Sequence, residues 1–247
     1  MNRNTLFKIT GVGAILHAVS MTAGFALLAR TFGYPEIIRE TPGMILTELN
    51  RGAHIVPYLY QSVAYCGLLW IFVAILLKKC FEQETNEVWL EMGYMSGVLS
   101  GLVFLIGLTR WLVLFPWIAD LYVTNGADAK TLELLFEAFN IYIGFSVAEH
   151  IGFLFLSLSV TFLSIVILRT KLIHSWVGWF GILGGIWVAY GNTEVLHFPF
   201  AFLVNRIGPE VLAIWGITVG IYFLLIKAPE GKKAKAKPDD YVAAAYG

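Results

Sequence analysis

The chain has 247 residues, 17 Lys and Arg against 17 Asp and Glu, and no net charge at neutral pH. That balance supplies no field for nucleic acid. Hydrophobic residues make up 58% and charged ones 14%, against about 25% charged in soluble domains, which excludes an ordinary water-soluble core.

The apolar residues lie in long runs, the pattern of helices that cross a bilayer. Run 9–29 is longer than the apolar stretch of about 7–15 residues in a signal peptide, so it reads as the first span. Further spans are predicted over 55–77, 92–117, 139–168, 175–196 and 211–226. Helices are expected because backbone groups in lipid must bond within their own segment. The predicted fold is an all-α polytopic bundle of about six transmembrane helices. A membrane domain over 1–227 precedes a basic tail over 228–247. Between the spans, 31–53 is read as a loop with a short helix near 44–50. A turn and helix start are expected in 121–135, and a loop over 198–209.

Orientation follows the bias of Lys and Arg toward the cytoplasm. Eleven lie on the side of the N-terminus, among them Arg3, Lys8, Lys78, Lys79, Arg169 and the tail lysines. Five lie on the other: Arg30, Arg39, Arg51, Lys130 and Arg206. Both termini are therefore expected in the cytoplasm and the chain in the inner membrane. Trp111 and Trp117 suit the outer interface, Trp176 and Trp179 the inner one. Cys66 and Cys80 are separated by about 21 Å along one helix, too far to form a disulfide.

Small residues set helix packing. Gly93, Gly97 and Gly101 recur every fourth position, as do Gly181 and Gly185, and admit a close neighbour. The informative residues are ionisable ones at membrane depth: His17, Arg110, Glu149, His150, Glu194 and His197, with His54 at the mouth of the second span. A charge there costs about 2.5–3.5 kcal/mol on insertion scales unless paired or wet. On helical wheels Tyr142, Ser146, Glu149, His150, Phe153 and Ser157 share a face. Trp187, Tyr190, Glu194 and His197 share another if the helix continues past Gly191. His54, Tyr58, Gln61, Ser62 and Tyr65 form a polar stripe on the second span.

These stripes predict a polar interior opening away from the cytoplasm. The simplest role is structural, with Arg110 paired to Glu149 or Glu194. The same residues suit a small ligand, an ion or a lipid headgroup. A metal held by His54, His150, His197 and Glu149 is chemically acceptable, as is a haem between His17 and His150. No two of these histidines have the HxH or HExxH spacing of a local metal motif. No nucleophile elbow, Walker loop or dinucleotide fingerprint occurs. The expectation is an accessory subunit of a membrane complex, with the bilayer and other membrane subunits as partners. A binder or transporter, or a metal or haem protein, is the alternative.

The segment from Glu149-His150 through Arg169 to Trp176-Val-Gly-Trp-Phe-Gly-Ile-Leu-Gly-Gly185 resembles the bacterial membrane proteins grouped as domain of unknown function 4386. Glu149 and His150 match a polar pair of that family, Arg169 its turn and Trp176 its next helix start. His174 stands where the family often has proline. Arg110 corresponds to an Arg of the family's third span. The resemblance implies a membrane helix bundle and carries no mechanism.

Overall fold

A computed structural model describes residues 2–124 and 128–226. Helix α1, Arg3–Phe32, is capped by Asn2, whose side chain accepts from the Thr5 amide at 2.7 Å. It ends at Gly33, whose φ of 73° is the left-handed stop that glycine supplies. Then follow α2 (Pro42–Arg51), α3 (Val56–Phe81), α4 (Val88–Leu108), α5 (Leu114–Thr124) and α6 (Ala129–Phe139). A π-helical stretch, Asn140–Ile151, leads without a break into α7, Gly152–Thr170. Helices α8 (Ser175–Gly191) and α9 (Ala201–Leu225) complete the chain. The basic tail and the centre of the Thr-Asn-Gly-Ala-Asp turn lie outside the described residues.

Helices α1, α3, α4, α7, α8 and α9 close a ring in which each packs on two neighbours, and α9 returns to α1. Among the described residues, five helical stretches are long and apolar enough to cross a membrane: Arg3–Phe32, Val56–Phe81, Val88–Thr124, Ala129–Thr170 and Ala201–Leu225. The fifth predicted span is the exception, because α8 has only 17 residues. The outer surface carries exposed Val12, Leu16, Leu102, Ile106, Leu183 and Ile214, as a bilayer requires. The protein is an all-α, multi-pass membrane protein.

Two apolar clusters divide the bundle along its length. The proximal cluster, at the end holding the N-terminus, packs Phe7 against Phe223 at 5.4 Å and Phe81 against Phe223 at 5.8 Å between ring centroids. There α1 and α9 meet through glycine. A Cβ on Gly11 would lie 2.6 Å from the Gly220 carbonyl oxygen, so no larger residue fits without parting the helices. The distal cluster joins Leu28, Phe32, Tyr60 and Trp111 to the short helices α2, α5 and α6, which pack together as a cap.

Several expectations are corrected. The sixth span begins ten residues early, at Ala201 rather than 211, so the expected loop over 198–209 is mostly helix despite Pro209. The helix of the fifth span does not continue past Gly191 but tightens into a 3₁₀ turn, Asn192–Leu196. Trp111 is buried at 1% exposure instead of sitting at the interface. The stripe on the second span faces outward: Tyr58 and Tyr65 are 66% and 57% exposed. Ser62 needs no interior partner, since its hydroxyl donates to the Leu59 carbonyl at 2.7 Å.

Candidate functional site

Arg110 lies just past the end of α4, in the 3₁₀ turn Thr109–Trp111. The turn redirects the chain toward α5 and aims the side chain inward. Its Nη1 donates to the Gly107 carbonyl at 2.6 Å and its Nη2 to Asn140 Oδ1 at 3.3 Å. The guanidinium fits because residue 144 is glycine: a Cβ there would lie 2.5 Å from Nη2. Arg110 is 8% exposed. Its Nε has no hydrogen-bond partner, and among the described residues no carboxylate stands within 4.0 Å. The expected pairing of Arg110 with Glu149 or Glu194 is therefore not formed.

Above Arg110 is a cavity of about 350 Å³, at the low end of the about 300–1,000 Å³ typical of small-molecule sites. Its charged lining is Arg39, Arg110, Arg206, Glu149 and Glu210. Its aromatic wall includes Tyr34, Tyr60, Trp111, Phe104 and Phe153. Tyr60 stacks on Trp111 at 4.2 Å with planes 9° apart, and Tyr34 meets Tyr60 edge-on at 6.5 Å. The Tyr60 hydroxyl is buried and unpartnered. A phenol in that position is a donor seeking an acceptor.

The roof is the segment between α1 and α2. Arg39 pairs with Glu194 at 3.2 Å and lies 4.6 Å from the centre of the Phe202 ring. Asn205 donates to the other Glu194 oxygen at 2.8 Å, and Arg206 pairs with Glu36 at 2.8 Å. These contacts strap the roof onto α9. Burial in the roof pushes the Tyr34 phenol above its ordinary range.

The π-helical stretch delivers Glu149. Its i→i+5 bonding widens each turn, which displaces the face drawn with ordinary helical spacing. Glu149 and Phe153 reach the cavity, while Tyr142 is 68% exposed. Ser146 donates back to the Ile141 carbonyl. Glu149 makes no hydrogen bond or ion pair with any described residue.

A smaller recess of about 220 Å³ shares Glu149 and Asn205 with the cavity and brings in His150, Glu194 and His197. Asn192 donates to the His150 carbonyl at 2.8 Å, and the His150 Nδ1 is unpartnered. His54 is exposed in the turn before α3. His17 turns to α3 instead, with Nδ1 3.0 Å from the Cys66 carbonyl oxygen and its ring 5.1 Å from Trp70. It lines neither recess, so the expected meeting with His150 does not occur. Among the described residues no group of three or more His, Cys, Asp or Glu is placed to hold a metal ion. Tyr190 is spent on the connection, its hydroxyl donating to the Pro199 carbonyl at 2.7 Å.

The sequence missed Tyr34, Tyr60, Arg39, Asn205 and Glu210. Tyr60 sits beside the stripe residue Tyr58 but on the buried side of the helix. Asn205 and Glu210 fall in the expected loop over 198–209 and at its edge, where polar residues are ordinary; on the continuous helix α9 they stand out.

Residues 9–228, most of the chain, match the model of the family described as Domain of unknown function (DUF4386). No curated protein and no solved structure matches.

Proposed function

The chain belongs to the DUF4386 family, and we propose that this multi-pass membrane protein binds a small molecule in its distal cavity. The observation that carries the reading is Arg110: a buried guanidinium whose Nε is unpartnered, beside a cavity that also holds an unpaired carboxylate. A charge at membrane depth costs about 2.5–3.5 kcal/mol on insertion scales. Pairing it with Glu149 would offset that cost, yet the two remain apart. A bound ligand satisfies both. The accessory-subunit reading rested on missing catalytic motifs, a less specific ground.

In this reading α8 is a sixth crossing: its 17 residues cover about 26 Å, and the following turn extends it. Eleven cations against five put both termini in the cytoplasm, and the cavity then lies in the outer half of an inner-membrane protein.

Native mass spectrometry from mild detergent tests the reading. Wild type is expected to carry a bound mass that Arg110→Met loses while keeping its thermal transition. An identical adduct on both proteins, or none on wild type, overturns it.

A further inference from the structure

We infer that the ligand is an amphiphile that reaches the cavity sideways, between α1 and α9, placing a zwitterionic headgroup at Arg110, Tyr60 and Glu149 while its apolar part stays in the bilayer. The inference rests on the cavity being a ligand site and adds the ligand's chemistry and route.

The route follows from which wall is thin. At the proximal end α1 and α9 are locked through Gly11 and Gly220. Further along, the cavity wall is made by Thr22, Ala26 and Ala29 of α1 and by Phe202, Arg206 and Glu210 of α9. All six are exposed. Exposed residues of two adjacent helices that line one cavity mark an opening between those helices. One polar link crosses it, with Thr22 Oγ1 donating to Glu210 Oε2 at 3.3 Å. Glu210 is ten residues into α9, among exposed Leu203, Ile207 and Ile214. A lone carboxylate facing lipid chains there is costly; at a gate that headgroups cross, it is useful. The end-on route is instead covered by the roof and its Arg39–Glu194 and Arg206–Glu36 pairs.

The headgroup chemistry follows from what is unsatisfied. Arg110 Nε and the Tyr60 hydroxyl are buried donors without acceptors. Both residues line the cavity, so an acidic or strongly accepting oxygen is the ligand group that complements this wall. Glu149 is an acceptor without a donor, in the same cavity. A purely anionic ligand would meet its repulsion, and a purely cationic one that of Arg110. A headgroup with both an acidic oxygen and an ammonium satisfies the set. The volume of about 350 Å³ accommodates a headgroup. The apolar part leaves past the small Ala26 and Ala29.

The test compares three probes on wild type in a non-lipid detergent: a lysophosphatidylethanolamine, its chainless glycerophosphoethanolamine, and a fatty acid of equal chain length. The lysolipid is expected to bind at least about tenfold tighter than either of the others, each lacking one set of contacts. Glu149→Gln is expected to narrow the preference for lysolipid over fatty acid. Ala26→Trp is expected to slow lysolipid association. Equal affinity for lysolipid and chainless headgroup would overturn the lateral route and leave the cavity as a ligand site. Fatty acid binding as tightly as lysolipid would overturn the zwitterionic headgroup. Binding of none of the three, on a protein that also carries no adduct, would remove the cavity reading itself.

Discussion

The two halves of the bundle are built from the same helices and solve opposite problems. In the proximal half, glycines let backbones touch and side chains bond locally. Thr10 donates to the Leu6 carbonyl at 2.8 Å, and Ser159 crosses to the Gly93 carbonyl at 2.8 Å. Ser164 Oγ, Trp70 Nε1 and Arg3 Nε lack hydrogen-bond partners there, but the first two are neutral groups, which cost far less than a charge, and the Arg3 charge is paired with Glu84. In the distal half a π-helical stretch, a 3₁₀ turn and the aromatic stack on Trp111 hold a cavity open around Arg110 and Glu149. Buried polar groups in native proteins are almost always satisfied. A bundle that packs tightly at one end and leaves charges unpaired at the other uses that second end for something besides packing.

This contrast can be broken from either side. Phe223→Ala removes the ring shared by Phe7 and Phe81 and is expected to cost about 3–5 kcal/mol, read as lost thermal stability in detergent; a loss below about 1 kcal/mol would mean the proximal half is not close-packed. Gly11→Leu forces α1 from α9 and is expected to cost about 1–3 kcal/mol by overpacking, read in the same scan. Ser159→Ala leaves α4 and α7 short of one buried hydrogen bond, an expected loss of about 1 kcal/mol. In the distal half opposing terms offset: Arg110→Met removes a buried charge with no carboxylate partner but leaves the Gly107 carbonyl and Asn140 Oδ1 without its donors, so stability is expected to change by no more than about 1–2 kcal/mol. Destabilisation of several kcal/mol would make Arg110 a structural post instead. The smallest effect is expected for Arg206→Gln, under about 1 kcal/mol, because its pair with Glu36 is more than half exposed.

Hydropathy made the membrane class and most spans legible, because long apolar runs leave a chain few alternatives. The glycines at 93, 97 and 101 were readable for a similar reason, and each now abuts a neighbouring helix. The site was legible only in part. Arg110 and Glu149 stand out as charges in apolar runs, and both line the cavity. Their partners did not show. A wheel of ordinary helical spacing misplaces Tyr142 once the chain turns π-helical at Asn140. Polarity alone assigned Tyr58 and Tyr65 inward, whereas Tyr60 is the residue that packs on Trp111. The roof pairs Arg39 with Glu194 across 155 positions, a contact no local pattern encodes.

The most direct measurement is an experimental density map of the wild-type chain in a bilayer. Ligand density is expected within hydrogen-bond reach of both Arg110 Nε and the Tyr60 hydroxyl, with Glu149 held apart from Arg110. A collapsed cavity, with Arg110 and Glu149 paired directly within 4 Å, would contradict the ligand site and return both residues to a structural role.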